Sequence, residues 1–187
     1  MIQETLVTTQ NASGVAHIAP MGIHLIGDDV IILPFRPSTT LDNILATQTA
    51  VLNHCDDVRI FAGCLTGRRT WPLRTADVVR GTVLCAALAH TELELLRVEE
   101  DATRPKLYCK AVHSANHAPF QGFNRAQFAV LEAAILISRL NYLPLAKIES
   151  EIDYLRSALE KTAGPREWEA WTWLMAMIAA FKAEARP

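Results

Sequence analysis

The chain has 187 residues and a formal charge of −2; half of its residues are hydrophobic and a fifth are charged. That is the composition of a folded globular protein and argues against intrinsic disorder. A near-neutral charge argues against bulk electrostatic binding to nucleic acid or anionic membrane, and no apolar run reaches the roughly 18 residues of a membrane helix, so neither partner is expected.

In chain order, residues 2–10 read as a first strand, followed by the turn Asn11-Ala12-Ser13-Gly14. Residues 15–26 read as a second strand. Pro20 inside it has no N–H to give, so it marks an edge or a bulge. A turn at 27–29 leads to a third strand at 30–35. Three strands joined by tight turns form an antiparallel meander rather than βαβ units. Ser38, Thr39 and Thr40 are all N-cap candidates for a short helix at 41–46. A fourth strand is predicted at 49–53, and Asp56 or Asp57 caps a second short helix ending near Leu65. Residues 67–72 form a loop. Residues 81–99 hold one long bent strand or two shorter ones, and residues 106–113 the last strand. Six antiparallel strands with few helices predict a small closed barrel over residues 1–118.

From Asn124 the period becomes helical. Phe128, Val130, Leu131, Ile135, Leu136, Ile137 and Leu140 make a helix apolar nearly all round, which is buried on most sides. Leu145, Ile148, Ile152, Leu155 and Leu159 supply one face of a second helix. Gly164-Pro165 opens a third, with Pro where the first turn tolerates it and Trp168, Trp171, Met175 and Ile178 inside. Residues 119–187 are therefore a helical segment of about three helices, and the class is α+β. Residues 1–5 have no basic n-region or cleavage pattern, so no signal peptide is expected. Cys55, Cys64, Cys85 and Cys109 do not form a disulfide framework in a chain of this length, and the protein is expected to be reduced and cytoplasmic.

The segment from Arg36 to Asn43 is the strongest chemical lead. It offers a guanidinium, three hydroxyls, an amide and a helix start within eight residues, the groups that bind a phosphate. The competing reading is simple capping by Ser38–Thr40, which explains the hydroxyls without a ligand. Asn124-Arg125 is a second helix start with a guanidinium. Arg125 and Glu132 lie roughly 10 Å apart along a helix, so each is expected to have a partner elsewhere. Arg68, Arg69 and Arg74 around Trp71 form a local basic cluster, more often a solvated face or a subunit contact than an anion site. Cys109, His113 and His117 recur every four residues, but four residues of extended chain span roughly 13 Å, too far for one ion, so no metal is expected there. Walker, G-x-G-x-x-G, G-x-S-x-G, H-E-x-x-H and C-x-x-C patterns are all missing, and no catalytic set can be assigned.

The order of these segments resembles the domain of unknown function 447 family of FMN-binding split-barrel proteins. The likeness is carried by Glu4-Thr5-Leu6-Val7-Thr8-Thr9, Ala19-Pro20-Met21-Gly22-Ile23 and Arg36-Pro37-Ser38-Thr39-Thr40 with Asn43. It continues in Phe120-Gln121-Gly122-Phe123-Asn124-Arg125-Ala126, and in Lys161-Thr162-Ala163-Gly164-Pro165-Arg166-Glu167 with Trp171. The resemblance implies a six-stranded antiparallel split barrel followed by helices, and a homodimer with FMN at the subunit interface. It implies that Arg36, Ser38, Thr39, Thr40 and Asn43 hold the flavin phosphate and that Pro20, Met21 and Gly22 lie along the isoalloxazine. Asn124 and Arg125 would reach the cofactor or the second subunit. Residues 56–72 also look like a bacterial subgroup linked to tetrahydromethanopterin-dependent one-carbon metabolism. The implied function is a cytoplasmic oxidoreductase of unknown small-molecule substrate. The alternatives are a flavin binder without turnover and a scaffold that has lost its flavin.

Overall fold

The strand expected at 2–10 is β1 (Ile2–Gln10), and it pairs residue for residue with β2 (Ala16–Ile26), from Ile2 opposite His24 to Gln10 opposite Ala16. The computed structural model describes residues 1–27 and 29–184, so Asp28 of the expected 27–29 turn lies outside the described residues. The elements that follow are β3 (Asp29–Ile32), α1 (Thr39–Thr47), β4 (Thr49–His54), α2 (Val58–Leu65), β5 (Leu73–Thr75), β6 (Thr82–Leu84), β7 (Ala89–Glu99) and β8 (Lys106–Asn116). Three helices complete the chain: α3 (Arg125–Ile137), α4 (Leu145–Thr162) and α5 (Pro165–Glu184). The described residues group into two units. One is Met1–Cys55 with Thr70–Phe120; the other is Asp56–Arg69 with the chain from Gln121 on.

In the first unit six antiparallel strands close into a barrel in the order β1-β2-β3-β8-β7-β4, with β4 returning to β1. β3 ends at Ile32, earlier than its apolar run predicts, because Pro34 cannot donate to a ladder. Pro20 sits in an unbroken register with β1, while β3 pairs only with His24–Ile26 of β2, so Pro20 lies on a free edge and not in a bulge. Val7, Ile23, Ile32, Leu52, Leu93 and Leu107 fill the interior, and Leu41 and Ile44 of α1 join the same core. Each such side chain contributes about 1.5–3 kcal/mol when fully buried.

β1 is buried from Thr5 through Thr9 on both faces. The reason is a feature not expected from sequence, the two-stranded sheet of β5 and β6. Asn53, fully buried, joins the layers. Its Nδ2 donates to Leu6 O at 3.0 Å and Thr8 Oγ1 at 3.1 Å, and its Oδ1 accepts from the backbone N–H of Leu84 at 2.7 Å. The residues expected as one long strand or two, 81–99, are β6 and β7.

In the second unit α2 begins at Asp57, whose carboxylate caps the N–H of Arg59 and pairs with its guanidinium at 2.6 Å. Ile148, Ile152, Leu155 and Leu159 of α4 form the buried face the heptad spacing predicts. On α3 the buried face is the small one, Ala126, Ala129, Val130, Ala133, Ala134 and Ile137, and Phe128, expected inside, is exposed. Alanines let neighbouring helix axes approach closely, which favours that face inward. α3 stops at Ile137, three residues early, where Ser138 Oγ donates to Ile135 O at 2.7 Å. On α5, Trp171, Leu174 and Ile178 are buried, whereas Trp168 in the first turn is 42 % exposed and outside that core. Glu167 accepts from the N–H of Gly164 at 2.9 Å, half of a capping box ahead of Pro165.

Candidate functional site

The segment from Arg36 to Asn43 lies in the barrel unit, where β3 gives way to α1. The backbone N–H of Arg36 donates to Thr103 O at 2.9 Å, and its guanidinium, exposed, donates to Glu100 at 2.9 Å. Arg104 braces the same stretch by donating to Leu33 O at 3.1 Å and stacking on the Phe35 ring. Ser38 is the N-cap: its Oγ accepts from Leu41 N–H at 3.3 Å and its carbonyl from Asp42 N–H at 3.1 Å. That leaves the N–H groups of Thr39 and Thr40, the first two of the helix, without a partner among the described residues. The cap uses one lone pair of Ser38 Oγ, so its hydroxyl proton remains available to an acceptor. Thr39 is exposed, Thr40 buried. Asn43 is buried, with Nδ2 donating to Thr9 Oγ1 at 3.0 Å. Capping is therefore real here, and it coexists with a helix start that presents free donors.

Pro20, Met21 and Gly22 occupy the stretch of β2 opposite Leu6, Thr5 and Glu4, short of the residues that pair with β3. All three are partly exposed. Asn124 and Arg125 belong to the helical unit. Asn124 caps α3, with Oδ1 accepting from Ala126 N–H at 2.8 Å and Nδ2 donating to Thr162 O at 3.0 Å, so its side chain joins the start of α3 to the end of α4. Arg125 is exposed, and no ion pair joins it to Glu132 among the described residues. The basic cluster divides by partner: Arg68 stacks over Trp173 at 4.5 Å, while Arg74 of the barrel unit donates to Asp77 Oδ1 at 3.2 Å.

A constellation not anticipated from sequence surrounds Glu92. Its carboxylate is fully buried and accepts the backbone N–H groups of Asp77, Val78 and Val79 at 2.6, 2.8 and 2.6 Å. Burial raises its pKa, but those three donors and His90 outweigh burial and hold it down at about 2. His90 Nε2 lies 3.0 Å from Glu92 Oε1 and 3.4 Å from Asp77 Oδ2, and His113 Nε2 lies 3.5 Å from the same Asp77 oxygen. On its other side His90 Nδ1 meets His117 Nε2 at 2.8 Å, and Arg74 meets that same nitrogen at 2.9 Å. Burial, then the charge of Arg74, lower the His117 pKa. His113 is thus in a cluster, but not with Cys109. A bulge in β8 between the partners of Glu92 and Leu93 reverses the side-chain alternation, so Cys109 points into the barrel core while His113 faces Glu92. The signal available in the sequence was His90-x-Glu92, two residues that share a strand face.

The closed six-stranded antiparallel barrel followed by helices defines a class, the split β-barrel fold. It is seen in an FMN-bound protein from Methanosarcina mazei, 21 % identical, with 94 % of each chain aligned at a TM-score of 0.82. It is seen also in the 2-nitrobenzoate 2-nitroreductase of Pseudomonas fluorescens, 19 % identical over 61 % of this chain and 64 % of that one, TM-score 0.54. A flavoredoxin from Methanosarcina acetivorans, 12 % identical over 62 % and 69 %, aligns at 0.55. The chain belongs to the family described as protein of unknown function DUF447: residues 3–118 match its N-terminal domain and residues 124–176 its C-terminal domain. No helix among the described residues is long and apolar enough to cross a membrane.

Proposed function

We propose that the chain is an FMN-binding flavoprotein acting as an oxidoreductase on a small molecule. The observation that carries this reading is the start of α1, where two unpartnered N–H groups stand beside the hydroxyls of Ser38 and Thr39 and near the guanidinium of Arg36 in sequence. That donor set suits a phosphate dianion: backbone N–H groups, a helix N-terminus and one cation, with no carboxylate among residues 36–41. The FMN-bound relative of the same fold and family supports the choice of ligand.

In this reading Arg36, Ser38, Thr39 and Thr40 bind the phosphate, and Asn43 holds α1 against β1 so that those donors stay fixed. The partly exposed backbone of Pro20, Met21 and Gly22 lines the ring. FMN, when bound, supplies hydride and electron transfer. The protein supplies orientation and electrostatics. Asn124 and Arg125 serve a second copy of the chain or the cofactor. Exposed Ile2, Ile26 and Phe35 on the barrel unit and Phe128 on the helical unit offer apolar surface for a homodimer. A link to tetrahydromethanopterin-dependent metabolism rests on the likeness of residues 56–72 alone.

Purification followed by an absorbance spectrum and release of any bound cofactor tests the reading. Visible flavin absorbance, with FMN as the released species, is expected, and bleaching by NADH, NADPH or a reduced deazaflavin separates an enzyme from a simple binder. A colourless protein that stays colourless after soaking in FMN contradicts the proposal.

A further inference from the structure

We propose that Asp77, His90, Glu92 and His113 form a tetrahedral site for a divalent first-row transition metal, zinc being the best match, that staples the 76–80 loop to β7 and β8. The four donor atoms lie within 4.8 Å of one another. Three of the six edges are already short: 3.0 Å from His90 Nε2 to Glu92 Oε1, 3.4 Å from His90 Nε2 to Asp77 Oδ2, and 3.5 Å from His113 Nε2 to Asp77 Oδ2. Zinc bonds of roughly 2.0–2.1 Å to nitrogen and oxygen imply tetrahedral edges of roughly 3.3 Å. These three spacings therefore need little adjustment.

Hydrogen counting points the same way. An arginine has donors only, so at 2.9 Å from Arg74 the Nε2 of His117 is an acceptor. His90 Nδ1 lies 2.8 Å from the same nitrogen, so with Nε2 bound to a metal the Nδ1–H of His90 would point at His117. On the other side of the ring, His90 Nε2 faces two carboxylate oxygens, Glu92 Oε1 at 3.0 Å and Asp77 Oδ2 at 3.4 Å. A divalent cation seated among these atoms would take the Nε2 lone pair and both carboxylate oxygens as ligands. The contact from Nδ1 to His117 is also the outer-shell bond that ligating histidines commonly make. The carboxylates are prepared likewise. Asp77 spends Oδ1 on Arg74 and keeps Oδ2 for the cluster. Glu92 is anchored by three backbone N–H groups, two on Oε2 and one on Oε1, so Oε1, the oxygen that faces His90, has a second lone pair to give.

Access and type follow from exposure. The side chains of His90 and Glu92 are 0 % exposed, whereas those of His113 and Asp77 are 33 % and 44 % exposed, so an ion enters from their side. Four protein donors fill a tetrahedron and leave no open position, the mark of a structural rather than a catalytic ion. The loop and two strands it would join contain no sulfur donor within the cluster, which separates it from adventitious binding at the exposed thiol of Cys85. The assignment does not depend on the flavin reading, and a chain without flavin would still bind the metal.

The test uses full-length protein stripped with a chelator, dialysed and titrated with zinc chloride. One equivalent per chain is expected by elemental analysis, with a rise in thermal midpoint, and zinc-edge X-ray absorption showing only nitrogen and oxygen neighbours. His113→Ala and Asp77→Ala, both at the accessible side of the cluster, are expected to bind at least about tenfold more weakly and to lose the thermal shift, and His117→Ala to weaken binding about 10–100-fold through the outer shell. Equal binding by wild type and His113→Ala, sulfur neighbours at the zinc, or no stoichiometric uptake by the wild type would each overturn the proposal.

Discussion

Asn43 Nδ2 donates to Thr9 Oγ1 at 3.0 Å inside the barrel unit, so the fifth residue of α1 is tied to the next-to-last residue of β1. The start of α1, with the free N–H groups of Thr39 and Thr40, is therefore held by a buried bond four residues away. Replacing Asn43 by Ala leaves Thr9 without its donor and is expected to cost about 1–3 kcal/mol. Urea denaturation of the flavin-free protein measures it, and an unchanged midpoint would show that α1 is fixed by Leu41 and Ile44 alone.

Asn53 joins three strands, and its loss should be larger. Asn53→Ala strands the N–H of Leu84 and removes the donors to Leu6 and Thr8, all buried. A loss of about 3 kcal/mol or more is expected, with β5 and β6 becoming exchange-labile. Hydrogen exchange mass spectrometry over residues 73–84 reads this; full protection in the variant would mean the hairpin is held by Val83 and Leu84 packing instead.

The cysteines give an alkaline prediction. Burial pushes the Cys64 thiol up to about 11 and the Cys109 thiol up to about 12 from an ordinary value of 9.0. Both are acids whose folded pKa is raised, so the stability they contribute is complete below pH 9.0 and is lost as the pH climbs toward 11 and 12. Denaturation midpoints should fall across that window, and Cys109→Ala should flatten the fall. At neutral pH a disulfide reagent should label exposed Cys85 and spare Cys109. Rapid labelling of Cys109 in the folded protein would contradict its position in the barrel core.

Asp57 supports the helical unit. It caps α2 and holds Arg59 at 2.6 Å while itself 5 % exposed, and Arg59 reaches on to Glu169 at 3.1 Å. Asp57→Ala removes the cap and is expected to cost about 1–2 kcal/mol. A thermal midpoint equal to that of the wild type would show that water replaces the cap at no cost.

Much of the barrel was legible because its strands are cut by turn and proline signals and its helices by caps that act locally: Ser38, Asp57, Asn124 and Pro165 all stand where such residues begin helices. The hairpin of β5 and β6 was not legible, since two three-residue strands carry no periodicity, and their loop is held by Glu92, a contact 13 to 15 residues away. The inward face of α3 was misjudged at Phe128 because hydrophobicity ranks Phe above Ala, whereas close helix packing selects Ala. Residues 36–43 could be proposed as a phosphate site from sequence because their donors are contiguous. The histidine–carboxylate cluster is assembled across strands and turns on a bulge, which spacing along one strand cannot reveal.

The phosphate claim is tested most directly by titrating flavin-free protein with FMN and with riboflavin, which lacks the phosphate, for the wild type and for Arg36→Ala/Thr39→Ala. Both side chains are exposed, and the Arg36–Glu100 pair is of the surface kind that adds little stability, so the variant should fold normally. The account predicts that the wild type prefers FMN by at least about tenfold and that the variant loses most of that preference, since each charge-assisted bond is worth roughly 1.5–3 kcal/mol. Equal affinity for the two flavins in the wild type, or an undiminished preference in the variant, would contradict it.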